Sequence, residues 1–143
     1  MSIPAQTQTP MVVCSVFGTM ERLIGLILER YAGILPIWLA PEQVRLILIS
    51  EEARHYTERV HRALEQEGIR SIVDDRSADL KSRLYQAIAE KIPFAVIIGK
   101  REWQAENLVV RTLGSQEEEQ MNIDALCNRI HCESNRINEE KRL

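Results

Sequence analysis

Cys127, His131 and Cys132 stand at i, i+4 and i+5 of one segment. On a helix that spacing puts Cys127 and His131 on one face, where a thiolate and an imidazole could hold a metal ion. The same segment has another reading. Cys127 continues the apolar stripe of Ile123, Leu126 and Ile130, the pattern of a core-facing helix. Taken as core, these residues leave no metal and no cofactor to expect. His55 and His61 are spaced so that they do not share a helix face. Trp103 sits among the charges of Lys100-Arg101-Glu102. An exposed ring there can stack on an unpaired base, and a less exposed one caps the edge of the core. Arg76, Lys81, Arg83, Lys100, Arg101 and Arg111 could follow an RNA backbone, although Asp74, Asp75 and Glu106 dilute the field. No Gly-rich phosphate loop and no Ser/His/Asp arrangement is found.

The elements that must position these residues belong to a modest chain. Its 143 residues are 45% hydrophobic, enough for one core and roughly one domain. The net charge of −3 does not advertise a nucleic-acid binder. It does not exclude one, because single-stranded loops are recognised largely by stacking and by base-edge hydrogen bonds. Three cysteines make no disulfide framework and suit a reducing, cytoplasmic setting. The sequence has no apolar run of membrane-spanning length, and MSIPAQTQTP lacks the layout of a signal peptide.

Residues 1–10 read as a disordered tail. Met11–Phe17 (MVVCSVF) is an apolar, β-branched run of strand length. A helix is expected over Thr19–Tyr31, with Thr19 as N-cap. Its Leu23, Ile24, Leu26, Ile27 and Leu28 cover more than one face, so it should be buried on most sides. After a Pro-rich connector, Val44–Ile49 is a strand, and Ser50 starts a helix that ends before Gly68. Ile69–Val73 is a strand, Asp79 caps a helix that stops before Pro93, and Phe94–Ile98 is a strand buried on both faces. Gly99–Glu106 reads as a polar hairpin connection, Asn107–Leu113 as a strand and Ser115–Gln120 as an acidic loop. The last helix is expected over Ile123–Cys132, followed by a charged tail. This is βαβ grammar with an added antiparallel strand, an α/β fold with a mixed, mostly parallel sheet of about five strands.

Two segments add a family resemblance. Gly18–Leu46 reads GTMERLIGLILERYAGILPIWLAPEQVRL, and Asp74–Thr112 reads DDRSADLKSRLYQAIAEKIPFAVIIGKREWQAENLVVRT. Together they resemble the C-terminal region of bacterial threonyl-tRNA synthetases, over about residues 10–130. That region holds the third catalytic motif followed by the anticodon-binding domain, whose α/β fold agrees with the grammar above. The resemblance implies residues 11–41 as a motif-like strand, helix and connector, 42–133 as an anticodon-binding-like domain, and 134–143 as a charged tail. It places Arg22 where the family's ATP-contacting arginine stands. The first two catalytic motifs have no counterpart before residue 10, and Val13 replaces a zinc-ligating histidine. Arg22 is therefore expected to be a relic, and no catalysis is expected.

Of the four side chains with which the family reads anticodon bases, the resemblance carries over Glu102 and Arg111. A carboxylate can accept both donors on the Watson–Crick edge of guanine, and a guanidinium can donate to a carbonyl or a phosphate. A surface ion pair between the two is the structural alternative. Ser77 replaces the family's asparagine and Tyr85 its arginine, while Lys81 replaces a glycine. Tyr85, Ser77, Trp103 and Arg76 would shape the pocket. The expected partner is tRNA, or another structured RNA with a single-stranded loop. The alternatives are an accessory subunit that self-associates through the first helix as a homodimer, and the C-terminal part of a split threonine–tRNA ligase.

Overall fold

The computed structural model describes residues 12–115 and 117–135. The expectation for residues 1–10 lies outside them. The chain divides into two compact units, Met1–Gly33 and Ile34–Leu143.

In the first unit one helix, α1 (Met20–Arg30), starts at Thr19, whose Oγ1 accepts the Arg22 N–H at 3.4 Å. The expected burial is not seen. No α1 residue is buried, and Ile24, Leu26 and Leu28 are each about half exposed. Among the described residues of this unit there is no second element to pack on. Val12–Phe17 is not a strand either, for the same reason: β-branched residues favour a strand only where a ladder partner exists.

The second unit is a five-stranded mixed sheet in the order β2-β1-β3-β4-β5. It comprises β1 (Val44–Leu48), α2 (Arg54–Gln66), β2 (Ser71–Asp74), α3 (Leu80–Ala89), β3 (Phe94–Ile98), α4 (Lys100–Ala105), β4 (Leu108–Thr112), β5 (Glu118–Met121) and α5 (Ile123–Asn135). β1 pairs parallel with β2 and β3, and β4 pairs antiparallel with β3 and β5. Two of the elements correct the sequence expectation. Gly99–Glu106 is mostly the short helix α4, and the expected acidic loop, Ser115–Gln120, holds most of β5.

Strand alternation divides the core in two. Leu46, Phe94, Val96, Ile98, Leu108 and Val110 pack with Tyr56, Val60 and Leu64 of α2 and with Leu126 and Ile130 of α5. Ile47, Ala95 and Ile97 point the other way, onto Leu84 and Ala87 of α3. All five residues of β1 and of β3 are buried, as a central strand covered on both faces requires. Each large aliphatic side chain so buried stabilises the fold by about 1.5–3 kcal/mol. Helices α2 and α5 cover one face, whereas only α3 covers the other. The β4–β5 part of that second face, where Val109 and Arg111 lie, is left partly open.

Candidate nucleic-acid interface

The turn between β2 and α3 is built on Asp74. Its carboxylate accepts the Arg76 backbone N–H at 3.2 Å, Arg76 Nε at 2.9 Å and Arg76 Nη2 at 2.6 Å. The Arg76 guanidinium holds the Asp74 carboxyl below its usual range. Arg76 Nη1 also donates to Gln86 Oε1 at 2.7 Å. Arg76 is thus committed to its own turn. Ser77 follows it, exposed at the end of the turn.

Arg83 departs from the expectation that it flanks a surface. It is 5% exposed, and its Nη1 donates to the Leu48 carbonyl at 2.7 Å and the Asp74 carbonyl at 3.3 Å. It ties the C-terminal ends of β1 and β2 together beneath the turn. One helical position in 3.6 decides this: Arg83, Leu84 and Ala87 share the inward face, whereas Lys81, Tyr85 and Ile88 lie outside it. Tyr85 is 75% exposed.

Glu102 is in the first turn of α4. Its Oε2 accepts the Gly99 N–H at 2.9 Å, the carboxylate half of a capping box, since glycine has no side chain to return the bond. Trp103, beside it, is 40% exposed on the helix rather than on a hairpin. Lys100 pairs with Glu52 at 2.9 Å, while Arg101 is exposed.

Arg111 is in β4, opposite Ala95 of β3 and Glu118 of β5. It borders a shallow hollow with Leu84, Ile88 and Leu113, and its Nε donates to the Ser115 carbonyl at 3.4 Å. Glu102 and Arg111 form no ion pair with each other. Gly99 lies four residues along β3 from Ala95, which separates the two stations by roughly 13 Å along the strand. Sequence reasoning missed Glu118 and Gln120, which register places across from Arg111 and Val109 on the same open face. EEQM carries no apolar alternation that would have revealed them. Lys81, Tyr85 and Ile88 thus recur on the exposed side of α3, and Ile88 shares its hollow with Arg111, while Ser77 lies in the turn before the helix and Glu102 beyond the end of β3.

Arg22 is exposed on α1. Cys127 is buried in the core, which pushes its thiol up, while Cys132 is exposed. His131 Nε2 lies 3.2 Å from the Glu67 carbonyl. Among the described residues, no group of three or more potential ligands could hold a metal ion, and no helix is long and apolar enough to cross a membrane.

Comparison with known proteins gives this surface a context. Residues 43–133 match the family model described as anticodon binding domain. The chain is 37% identical over 116 residues to the threonine–tRNA ligase of Sulfurihydrogenibium sp., covering 81% of this chain and 18% of that protein. It is 46% identical over 96 residues to the threonine–tRNA ligase of Thermosynechococcus vestitus, covering 67% of this chain and 16% of that one. The chain therefore spans less than a fifth of the length of these relatives. Among solved structures, the RNA-binding domain of threonyl-tRNA synthetase from Cryptosporidium parvum superposes with a TM-score of 0.74 at 25% identity, over 82% of this chain and 30% of that one. Histidyl-tRNA synthetase from Nostoc sp. gives 0.62 at 29% identity, over 78% and 27%.

Proposed function

The chain belongs to the anticodon-binding domain family, and from that premise we propose that it binds an RNA with a single-stranded loop and catalyses no reaction itself. The similarity to threonine–tRNA ligases makes tRNA the first candidate partner, in a cytoplasmic role in translation. The observation that carries the proposal is the open flank of α3, where Ile88 borders the same hollow as the Arg111 guanidinium and Tyr85, about one turn before Ile88, holds its phenol 75% exposed. Stacking a base on such a ring is worth roughly 1–3 kcal/mol. Glu102 accepts from a base edge, Arg111 donates to a carbonyl or phosphate, and Ser77 and Trp103 bound the site. A binding role rather than a catalytic one is supported by the match of residues 43–133 to the anticodon binding domain model. Arg22 is read as a relic, and residues 42–133 as the RNA-binding part.

The test is binding to a threonine-anticodon stem-loop beside one with a scrambled anticodon. Preference for the first is expected, with Arg111→Ala weakening binding about tenfold or more, the loss of one charge-assisted hydrogen bond. Arg76→Ala should weaken it less, because Asp74 already holds that side chain. Equal affinity of Arg111→Ala and the parent would remove the main support for the assignment. A second reading, an accessory subunit that self-associates through α1, is favoured by the exposure of Ile24, Leu26 and Leu28. Ile24→Glu would dissociate that assembly, as light scattering reads.

A further inference from the structure

The two edges of the sheet offer a second strand very different chemistry. Among the described residues β2 and β5 are outermost. An edge presents unpaired N–H and C=O groups, and proteins guard such edges with charge. β5 is guarded, because Glu118 and Glu119 fill two of its positions and are exposed. A second copy laid against it would meet like charge. β2 reads Ser71-Ile72-Val73-Asp74, and Ile72 is 53% exposed. On one face β2 is covered by α2, with His61 Nδ1 2.7 Å from Ser71 Oγ. On the other, Ile72 borders an open groove with Gln86 and Glu90.

The backbone fixes which groups of β2 are available. Val44 lies opposite Ser71, and its N–H donates to the Arg70 carbonyl at 3.2 Å. In a parallel ladder, alternate residues turn their hydrogen-bonding groups to the same side. Ile72 therefore bonds toward β1, while Ser71 and Val73 aim their N–H and C=O groups outward.

We propose that β2 pairs antiparallel with β2 of a second copy of this chain, about a two-fold axis at Ile72. Two edge strands become antiparallel about an axis perpendicular to the sheet, which keeps both α3 faces on one side. Residues of like face then meet. Ser71 exchanges both backbone bonds with Val73 of the second copy, and Val73 with its Ser71. Ile72 faces Ile72 as a non-hydrogen-bonded pair, with Cα atoms about 4.5 Å apart. Arg70 lies opposite Asp74, so charges of opposite sign meet at both ends. Each is anchored in its own copy, Arg70 on the carbonyls of Ala40 and Trp38 and Asp74 on Arg76. The complementarity therefore selects a register rather than adding an ion pair. Moving the axis to Val73 sets Arg70 against Arg76 and Ile72 against Asp74. Moving it to Ser71 sets Ile72 against Arg70. Only the register centred on Ile72 matches apolar to apolar and plus to minus.

Sedimentation velocity over a concentration series reaching high micromolar tests this. A dimer is expected for the parent, and a monomer with an unchanged circular dichroism spectrum for Ile72→Lys. In a background with the exposed Cys14 and Cys132 replaced by serine, Ile72→Cys should oxidise to a covalent dimer, since the Cα spacing lies in the disulfide range. Ile24→Glu in α1 should leave the dimer intact. A parent that stays monomeric overturns the proposal, and so does a dimer that survives Ile72→Lys. Dissociation by Ile24→Glu alone assigns the association to α1 and overturns it equally. RNA binding is read by a different assay, and its failure leaves this interface standing.

Discussion

Asp74 joins two side chains that sequence inspection groups together as surface cations. Its carboxylate takes three hydrogen bonds from Arg76, and its backbone carbonyl takes one from the buried Arg83. Replacing it by asparagine removes the charge and strands at least one donor of Arg76. Asp74→Asn should cost about 1–3 kcal/mol, read by urea denaturation. The pH dependence follows from the direction of the shift. Arg76 lowers the carboxyl's pKa in the folded state, so protons bind the unfolded chain more readily. The stabilisation is complete above the ordinary aspartate value of about 4. It is lost as acidification carries the pH through the lowered folded value. Asp74→Asn should therefore be less acid-sensitive than the parent in that window. Parallel stability curves for parent and variant below pH 4 would contradict this account. Arg76 and Arg83 were legible as cations in the sequence. Their engagement was not, because Arg76 folds back on Asp74 only through the turn that ends β2, and Arg83 depends on the carbonyls of Leu48 and Asp74 that β1 and β2 bring together.

At the scale of elements, the fold was readable where one signal acts alone. FAVII is a buried strand at its expected bounds, Gly68 takes φ +73 after α2, and Thr19 caps α1. It was misread where pairing or capping decides. EEQM becomes a strand because β4 offers it a ladder, and KREWQA becomes a helix despite lacking an apolar stripe. That helix depends on its ends. Glu102 caps the Gly99 N–H, and Glu106 closes α4 at φ +51, a conformation costly for a residue with a Cβ. Gly99 is the informative position. A Cβ there would stand 2.9 Å from Glu102 Oε2 and in ordinary contact with Ile49. The fold can keep its backbone, since only the tip of a flexible side chain must yield. Gly99→Ala should lower stability by about 1 kcal/mol or less, on the scale of a lost cap. It should weaken discrimination between anticodon loops as Glu102→Ala does. A thermal melt and paired loop-binding measurements check both halves. Full discrimination in Gly99→Ala would mean that the capped position of Glu102 is not the one that reads a base.

For the whole molecule, charge sets how any RNA is held. The chain carries a net charge of −3, and most cations close to the open flank are already committed. Arg76 is bound to Asp74, Lys100 to Glu52, and Arg83 is buried. Arg54, nearby, pairs with Glu51 and Asp75. Lys81, Arg101 and Arg111 remain without a carboxylate partner among the described residues. Each phosphate neutralised contributes roughly −0.7 to −0.9 to the slope of log K against log salt. Three cations predict a slope of about −2 to −3. The rest of the affinity must come from groups indifferent to salt, chiefly the Tyr85 ring and base-edge hydrogen bonds. Tyr85→Ala should then lower affinity by roughly 1–3 kcal/mol with the slope unchanged. Arg111→Ala should lower affinity and flatten the slope by about one unit. A salt titration of the three proteins on one stem-loop separates these effects. A parent slope steeper than about −5 would mean that the backbone, held by cations elsewhere on the chain, carries the binding. In that case the flank of α3 would not be the surface that holds the RNA.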